Sequence, residues 1–235
     1  MIRPIVTQPI FDGFLMTDRS TFLDTPELEP GITRFWLIRH ALVEQNARMM
    51  LYGAMDVPLC PESLVAQVPM YRALAARLPE TSAWYATPLS RTQRTAQAIQ
   101  QAGYPETPWT LEPGLIEQDM GEWQGMPHAE LPPKLKRPAH VFWSIAAGEV
   151  PPGGESMEQV CARVAVTLER LADTHDGQEI VAVSHGGAIR AALAHALGVD
   201  AEIALRFSVQ NLSVTILERH PRSWRVVAVN ELPGV

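Results

Sequence analysis

The run Arg34-Phe35-Trp36-Leu37-Ile38-Arg39-His40 constrains the fold of this chain more than any other stretch. An uninterrupted apolar segment of this length suits a strand buried on both faces, as in a parallel sheet with helices on either side. In such sheets ligands bind beyond the carboxyl ends of the strands, where Arg39 and His40 fall. A guanidinium is costly to bury unpaired. A cation and an imidazole at a strand end therefore suggest an anion to be held there and attacked. The bland alternative, a strand running out into a polar loop, fits this stretch alone equally well.

The same theme recurs along the chain. Ser82 to Thr87 reads as a short strand, and Ser90-Arg91-Thr92-Gln93 as a capping box opening a helix through about Gln101. Trp109 to Leu111 is a further short strand, leading into Leu115-Ile116-Glu117. Ser156-Met157-Glu158-Gln159 is a second capping box, opening an amphipathic helix to about Thr174. Glu179 to Ser184 is the clearest buried strand; His185-Gly186-Gly187 follows it, and Ala188 to Leu197 reads as a helix. Between the first two strands, Ala41 to Leu59 is a loop. Pro61 then starts a helix with Leu64, Val65 and Val68 on one face and a kink or break at Pro69. Two antiparallel strands, near 213–218 and 224–229, close the chain.

Strands alternating with helices predict a three-layer α/β/α fold with a mostly parallel central sheet. The 235 residues are enough for one such domain, expected over 34–235. Residues 1–33, with Pro4, Pro9, Pro26 and Pro30 and no sustained periodicity, read as an extended N-terminal arm. Residues 118–155, rich in proline and glycine, are too long for a plain connection and read as a cap over a site.

A net charge of −7 argues against a nucleic-acid footprint or an anionic-membrane partner, yet allows one local cationic pocket. Cys60 and Cys161 match no metal-ligand spacing and read as reduced thiols. No apolar run approaches membrane-spanning length. The N-terminal apolar patch, broken by Asp12 and Gly13, is poor signal-peptide material. The expectation is a cytoplasmic protein without metal or cofactor. The apolar strands near the C-terminus leave a homodimer open.

If the three strands that precede Arg39-His40, Arg91 and Ser184-His185 lie side by side and parallel, these groups converge at one sheet edge. Two arginines can fork onto phosphate oxygens, and the Gly186-Gly187 turn lets backbone N–H groups approach the same anion at a helix N-terminus. One imidazole beside a bound phosphoryl group can attack it. The arginine cations should lower its pKa and keep it neutral. A leaving alkoxide needs a proton, and Glu117 is the acid best placed before the cap, with Asp119 and Glu122 as neighbours.

Read together, these motifs resemble the histidine phosphatase superfamily, in the branch that contains cofactor-dependent phosphoglycerate mutases and their phosphatase relatives. Leu37-Ile38-Arg39-His40 resembles its leading Arg-His-Gly signature, and Gly53-Ala54-Met55-Asp56-Val57-Pro58-Leu59 its Gly-x-x-Asp-x-Pro-Leu loop. Pro88 to Ala96 resembles the segment carrying its second arginine. Leu115-Ile116-Glu117 with Gly121-Glu122-Trp123-Gln124-Gly125 resembles the segment with its glutamate. Gly153-Gly154-Glu155-Ser156 and Ser184-His185-Gly186-Gly187 complete the set in the family's order.

The resemblance runs from about Phe35 to Asn230. It implies that His40 is a nucleophile forming a phosphohistidine, that Arg39, Arg91 and His185 hold the phosphoryl group, and that Glu117 is general acid and then base. Asn46 and the Gly186 amide are implied as further phosphate contacts. No metal is implied, and a small phosphate ester is the implied partner. Ala41 departs from the family's glycine and would be strained if that position needs positive φ. Ser63 and Cys60 replace a usual glycine and threonine.

His128, His140, His175, His195 and His220 fit no motif and are expected to be structural or solvated. Arg94 and Arg190 read as helix-face residues, with Arg190 alternatively bracing the site. Trp123 and Trp143 read as packing, with a substrate contact as the alternative. After Glu117 the chain reads Gln-Asp-Met-Gly-Glu-Trp-Gln-Gly and lacks the Arg-His-Tyr-Gly run of the mutases. The expected activity is therefore a metal-independent, histidine acid-type phosphatase. A mutase and a catalytically weak phospho-ligand binder are the alternatives.

Overall fold

The computed structural model describes residue 28 and residues 31–234. The expected arm lies outside the described residues, except for residue 28 and its last few positions, and Thr33 already belongs to the first strand. Six strands form one sheet: β1 (Thr33–Arg39), β2 (Ala83–Ala86), β3 (Trp109–Leu111), β4 (Glu179–Ser184), β5 (Val214–His220) and β6 (Ser223–Glu231). Their order is β3-β2-β4-β1-β5-β6. The four strands β3, β2, β4 and β1 are mutually parallel, while β5 runs antiparallel to β1 and β6 antiparallel to β5.

Strand alternation builds the two cores. Phe35 and Leu37 of β1, with Ile180 and Ala182 of β4, face one layer of helices: α5 (Met157–Thr174), α6 (Gly186–Leu197) and α7 (Ala201–Ala204). Trp36 and Ile38, with Val181 and Val183, face the other, formed by α3 (Val68–Arg77) and α4 (Ser90–Gln101). A sheet covered on both faces explains why β1 and β4 are apolar at consecutive positions rather than alternate ones. The three-layer α/β/α architecture follows.

Local chemistry sets most helix ends. Ser156 accepts from the Gln159 N–H, and the Gln159 side chain accepts from the Ser156 N–H, so α5 opens with the expected capping box, worth about 1 kcal/mol. The kink expected at Pro69 is a clean break at Gln67 between α2 (Pro61–Ala66) and α3. Other details differ from expectation. The 41–59 loop contains a short helix, α1 (Gln45–Arg48). Val65 points to solvent, and only Tyr71 and Leu74 of the α2–α3 stretch are buried. α6 begins at Gly186, not Ala188, because the two glycines after His185 are already helical.

The capping box expected at Ser90 does not form. Leu89 is the N-cap residue without a side-chain bond, and Gln93 donates instead to the Pro88 carbonyl. The cap comes from another loop: Asp56 Oδ1 accepts from both the N–H and the hydroxyl of Ser90. A carboxylate at a helix N-terminus is favoured by the helix dipole, and only the tertiary fold brings it there.

Residues 118–155 contain no α-helix or strand, only short 3₁₀ turns. Met120, Trp123, Leu131 and Ile145 bury one another and Leu51 as a third, smaller core. Among the described residues no helix is long and apolar enough to cross a membrane.

Candidate active site

Strand register brings the two histidines together. Arg39 pairs with Ser184 across the parallel β1–β4 ladder, so His40 and His185 each stand one residue past a carboxyl end. The His40 N–H donates to the Ser184 carbonyl at 2.9 Å. From β1 the chain turns into the α3–α4 layer and from β4 into the α6 layer. The two strand ends therefore flank a topological switch point, where open α/β sheets bind ligands. The imidazole centroids are 5.2 Å apart.

His40 is buried, and its Nδ1 lies 2.7 Å from the Ala41 carbonyl. A carbonyl only accepts, so Nδ1 carries the hydrogen and Nε2 keeps its lone pair. The surrounding backbone is fixed as well. Asn211 Nδ2 donates to the His40 carbonyl, and the Ala41 N–H donates to Thr95 Oγ1. Among described non-glycine residues only Leu212 and Asn230 have positive φ, so alanine at position 41 is unstrained.

Arg91 is fully buried, and its guanidinium is held on three sides. Nη1 and Nη2 donate to the carbonyls of Met55 and Gly53 at 2.5 and 2.8 Å, and Nε donates to His185 Nδ1 at 3.3 Å. That leaves the His185 proton on Nε2, donated to Thr87 Oγ1 at 2.9 Å. The Gly53–Leu59 loop thus does two jobs: its carbonyls orient Arg91, and its Asp56 caps the helix that carries Arg91. Arg39 donates through Nη1 to the Val209 carbonyl at 2.6 Å, while its buried Nε has no partner among the described residues. A buried N–H without an acceptor costs roughly 1–3 kcal/mol, and an anion between the strand ends would supply that acceptor.

Glu117 is buried beside the pair. Its Oε2 accepts from the Gly187 N–H at 3.1 Å and its Oε1 from the Gln118 N–H at 2.9 Å. A Cβ at position 187 would stand 2.1 Å from Glu117 Oε1, so only glycine admits the carboxylate there. Gly186 serves the cations instead: a Cβ there would lie 3.4 Å from Arg39 Nε and 3.1 Å from Arg190 Nη1.

Arg190 is buried, donating to the carbonyls of Phe207 and Gly186 under the Trp143 ring. Of its two sequence readings the bracing one holds. Burial and the neighbouring Arg39 push its pKa down to about 10. Asn46 is exposed on α1, and among the described residues its side chain makes no hydrogen bond to the other groups. Of the other histidines, four bond elsewhere: His140 accepts from the Phe142 N–H, and His175, His195 and His220 pair with Tyr85, Glu169 and Glu218.

Thr87, Thr95, Arg163 and Asn211 support the site without having been singled out for it, while the Gly187 N–H, expected to approach the anion, donates to Glu117 instead. Gly187 and Thr95 lie inside quoted motifs. Asn211 gives no sequence signal, because it arrives from the β5 side of the fold.

Burial, and then the Arg91 and Arg39 cations, hold the His40 pKa well below its usual 6.5. The same causes, with His40 itself, lower that of His185. The unfolded chain therefore binds more protons than the folded one just below pH 6.5, and stability must fall as pH falls through that range. The expected slope from these two groups is at most about 1.4 kcal/mol per pH unit for each. Denaturant unfolding at stepped pH measures it, and a flat profile between neutrality and pH 5 would contradict the assignment.

A neutral imidazole pair set among buried guanidinium groups at the switch point of an α/β sheet is equipment for handling phosphoryl groups. The chain belongs to the histidine phosphatase superfamily (branch 1), whose sequence pattern matches residues 35–232. It is 31% identical over 170 residues to a metal-independent phosphoserine phosphatase of Arabidopsis thaliana, covering 70% of this chain and 69% of that one. It is 28% identical over 161 residues to a 2,3-bisphosphoglycerate-dependent phosphoglycerate mutase of Cytophaga hutchinsonii, covering 68% and 75%. The structure of a mycobacterial glucosyl-3-phosphoglycerate phosphatase superposes with a TM-score of 0.72 at 25% identity, covering 85% of this chain and 99% of that one.

Proposed function

We propose that this protein is a metal-independent phosphomonoesterase that works through a phosphohistidine on His40. The observation that carries the reading is the tautomer of His40, with Nδ1–H tied to the Ala41 carbonyl and Nε2 left as a nucleophile among cations. Arg39, Arg91 and the first N–H of α6, that of Gly186, hold the phosphoryl oxygens, and His185 joins them. The Nε2 lone pair attacks phosphorus while the P–O ester bond breaks, and Glu117 acts as general acid, giving a proton to the leaving alkoxide. Water then attacks the phosphohistidine. Glu117 takes a proton from it, the P–N bond breaks, and inorganic phosphate leaves with the imidazole neutral again. Asn46, exposed on α1 just after the nucleophile, is a further candidate contact for a phosphoryl oxygen.

The segment after Glu117 supports hydrolysis over phosphoryl return. It resembles the phosphatase type in sequence, and three of its side chains are committed to packing: Gln118 is fully buried, and Met120 and Trp123 sit in the small third core. The cap at 118–155 selects the leaving group. The mutase relative keeps a second reading in view, isomerisation of a phosphoglycerate in the presence of its bisphosphate primer.

The expected result is hydrolysis of 4-nitrophenyl phosphate at an unchanged rate in the presence of EDTA. Activity abolished by the chelator and restored by a divalent cation would refute the mechanism. Isomerisation outpacing hydrolysis would favour the mutase reading.

A further inference from the structure

The Gly153-Gly154-Glu155-Ser156 motif touches neither histidine, and the mechanism above gives its glutamate no part. The contacts of Glu155 lead, directly or through Arg163, to the strap that carries Glu117. Arg163, on α5, grips Glu155 with two nitrogens, Nη2 to Oε1 at 2.6 Å and Nε to Oε2 at 3.3 Å. Its third nitrogen, Nη1, donates to the carbonyls of Gly114 and Ile116 at 3.0 and 3.1 Å, immediately before Glu117. Glu155 Oε1 also accepts from the Asp119 N–H at 3.1 Å, two residues after it. Two further bonds close the clamp: the Glu155 N–H donates to the Asp119 carbonyl, and the Gln118 side chain donates through Nε2 to the Glu155 carbonyl.

The glycines of both motifs serve this contact. A Cβ on Gly154 would stand 2.5 Å from the Asp119 carbonyl oxygen and 2.7 Å from the Gly121 nitrogen. One on Gly121 would stand 2.5 Å from the Gly154 nitrogen. The two segments lie backbone against backbone, and neither side has room for a side chain. A carboxylate that must give a proton at one atom and later take one back needs its main chain fixed to a fraction of an ångström.

We propose that Glu155 and Arg163 form a positioning clamp for the general acid, fixing the main chain on both sides of Glu117. They are positioning residues, since neither touches the reacting atoms. The inference rests on the assignment of Glu117 as general acid, and its test separates the two. The readout is kcat/KM, which for this mechanism reports phosphorylation of the histidine. It is measured with phenyl phosphate, whose leaving phenolate needs a proton, and with 4-nitrophenyl phosphate, whose leaving group needs little help.

For Arg163→Ala and Glu155→Gln the expected loss is about 30-fold with the phenyl ester and less than about threefold with the nitrophenyl ester, a fraction of what a general acid contributes. Arg163→Lys should fall between, because an ammonium cannot fork across Glu155 and two carbonyls, and it serves if the alanine variant does not fold. Equal losses with both esters, as a purely structural role would produce, overturn the clamp.

Amide hydrogen exchange needs no turnover. The Gly187 and Gln118 amides, which donate to Glu117, should exchange at least about tenfold faster in either variant, with Val183 in the sheet core unchanged. Unchanged exchange at Gly187 and Gln118 also overturns the clamp. A chain that hydrolyses neither ester yet loosens at these amides keeps the clamp and loses the proposed function.

Discussion

His40→Ala is expected to lower phosphomonoester hydrolysis by about 10⁴-fold or more, the scale seen when a covalent nucleophile is removed. The loss should lie in kcat, because Arg39, Arg91 and the start of α6 still hold the phosphate in the variant. The fold should tolerate the change. Among the described residues the His40 ring makes one hydrogen bond, to the Ala41 carbonyl, and that carbonyl also accepts from Asn211 at 3.3 Å. Incubation with a labelled phosphoryl donor and acid quench provides the second measurement. The parent chain should carry an acid-labile label and the variant none. Label retained by the alanine variant would move the nucleophile to another residue, with His185 the first to examine.

Arg91→Ala should have the second largest effect, a loss of about 10²–10³ in kcat/KM, as when one donor is removed from a preorganised oxyanion site. Three acceptors lose their partner together: the Gly53 and Met55 carbonyls and His185 Nδ1. Arg91→Lys should recover little, since one ammonium cannot reach all three.

The pH dependence gives this prediction its sign. In the parent chain His40 is neutral at pH 6.5 and for some way below, so kcat/KM should stay level until well under that value. Arg91 is the second cause of the depression, after burial. Removing it raises the pKa, so the acid limb of the profile should move up toward pH 6.5 without reaching it. A limb that stays in place, or moves down, would mean that the Arg91 charge does not act on the nucleophile.

The apolar continuity of Phe35 to Ile38 and of Ile180 to Val183 was enough to specify two-sided burial. From that came parallel central strands, helices on both faces, and functional groups at the carboxyl ends. Each conclusion depends only on neighbours in the chain and on the period of the strand. Ser156 with Gln159 was readable for the same reason, being a contact three residues long. The identical reasoning failed at Ser90, where a carboxylate thirty-four residues earlier in the chain takes the N-terminus of α4. Local pattern cannot weigh a competitor that arrives through space.

By itself the sequence determined the sheet, its helical covering, the order of the motifs and the residue types gathered at one edge. Tertiary structure alone decided the protonation and direction of those residues. The Ala41 carbonyl selects the His40 tautomer, and the Gly53 and Met55 carbonyls aim Arg91. Gly187 makes room for Glu117, and the Glu155–Arg163 pair grips the strap around it. The physical reason is range. Backbone periodicity acts over a few residues, whereas hydrogen-bond direction and desolvation are set by groups that meet only after the chain has folded.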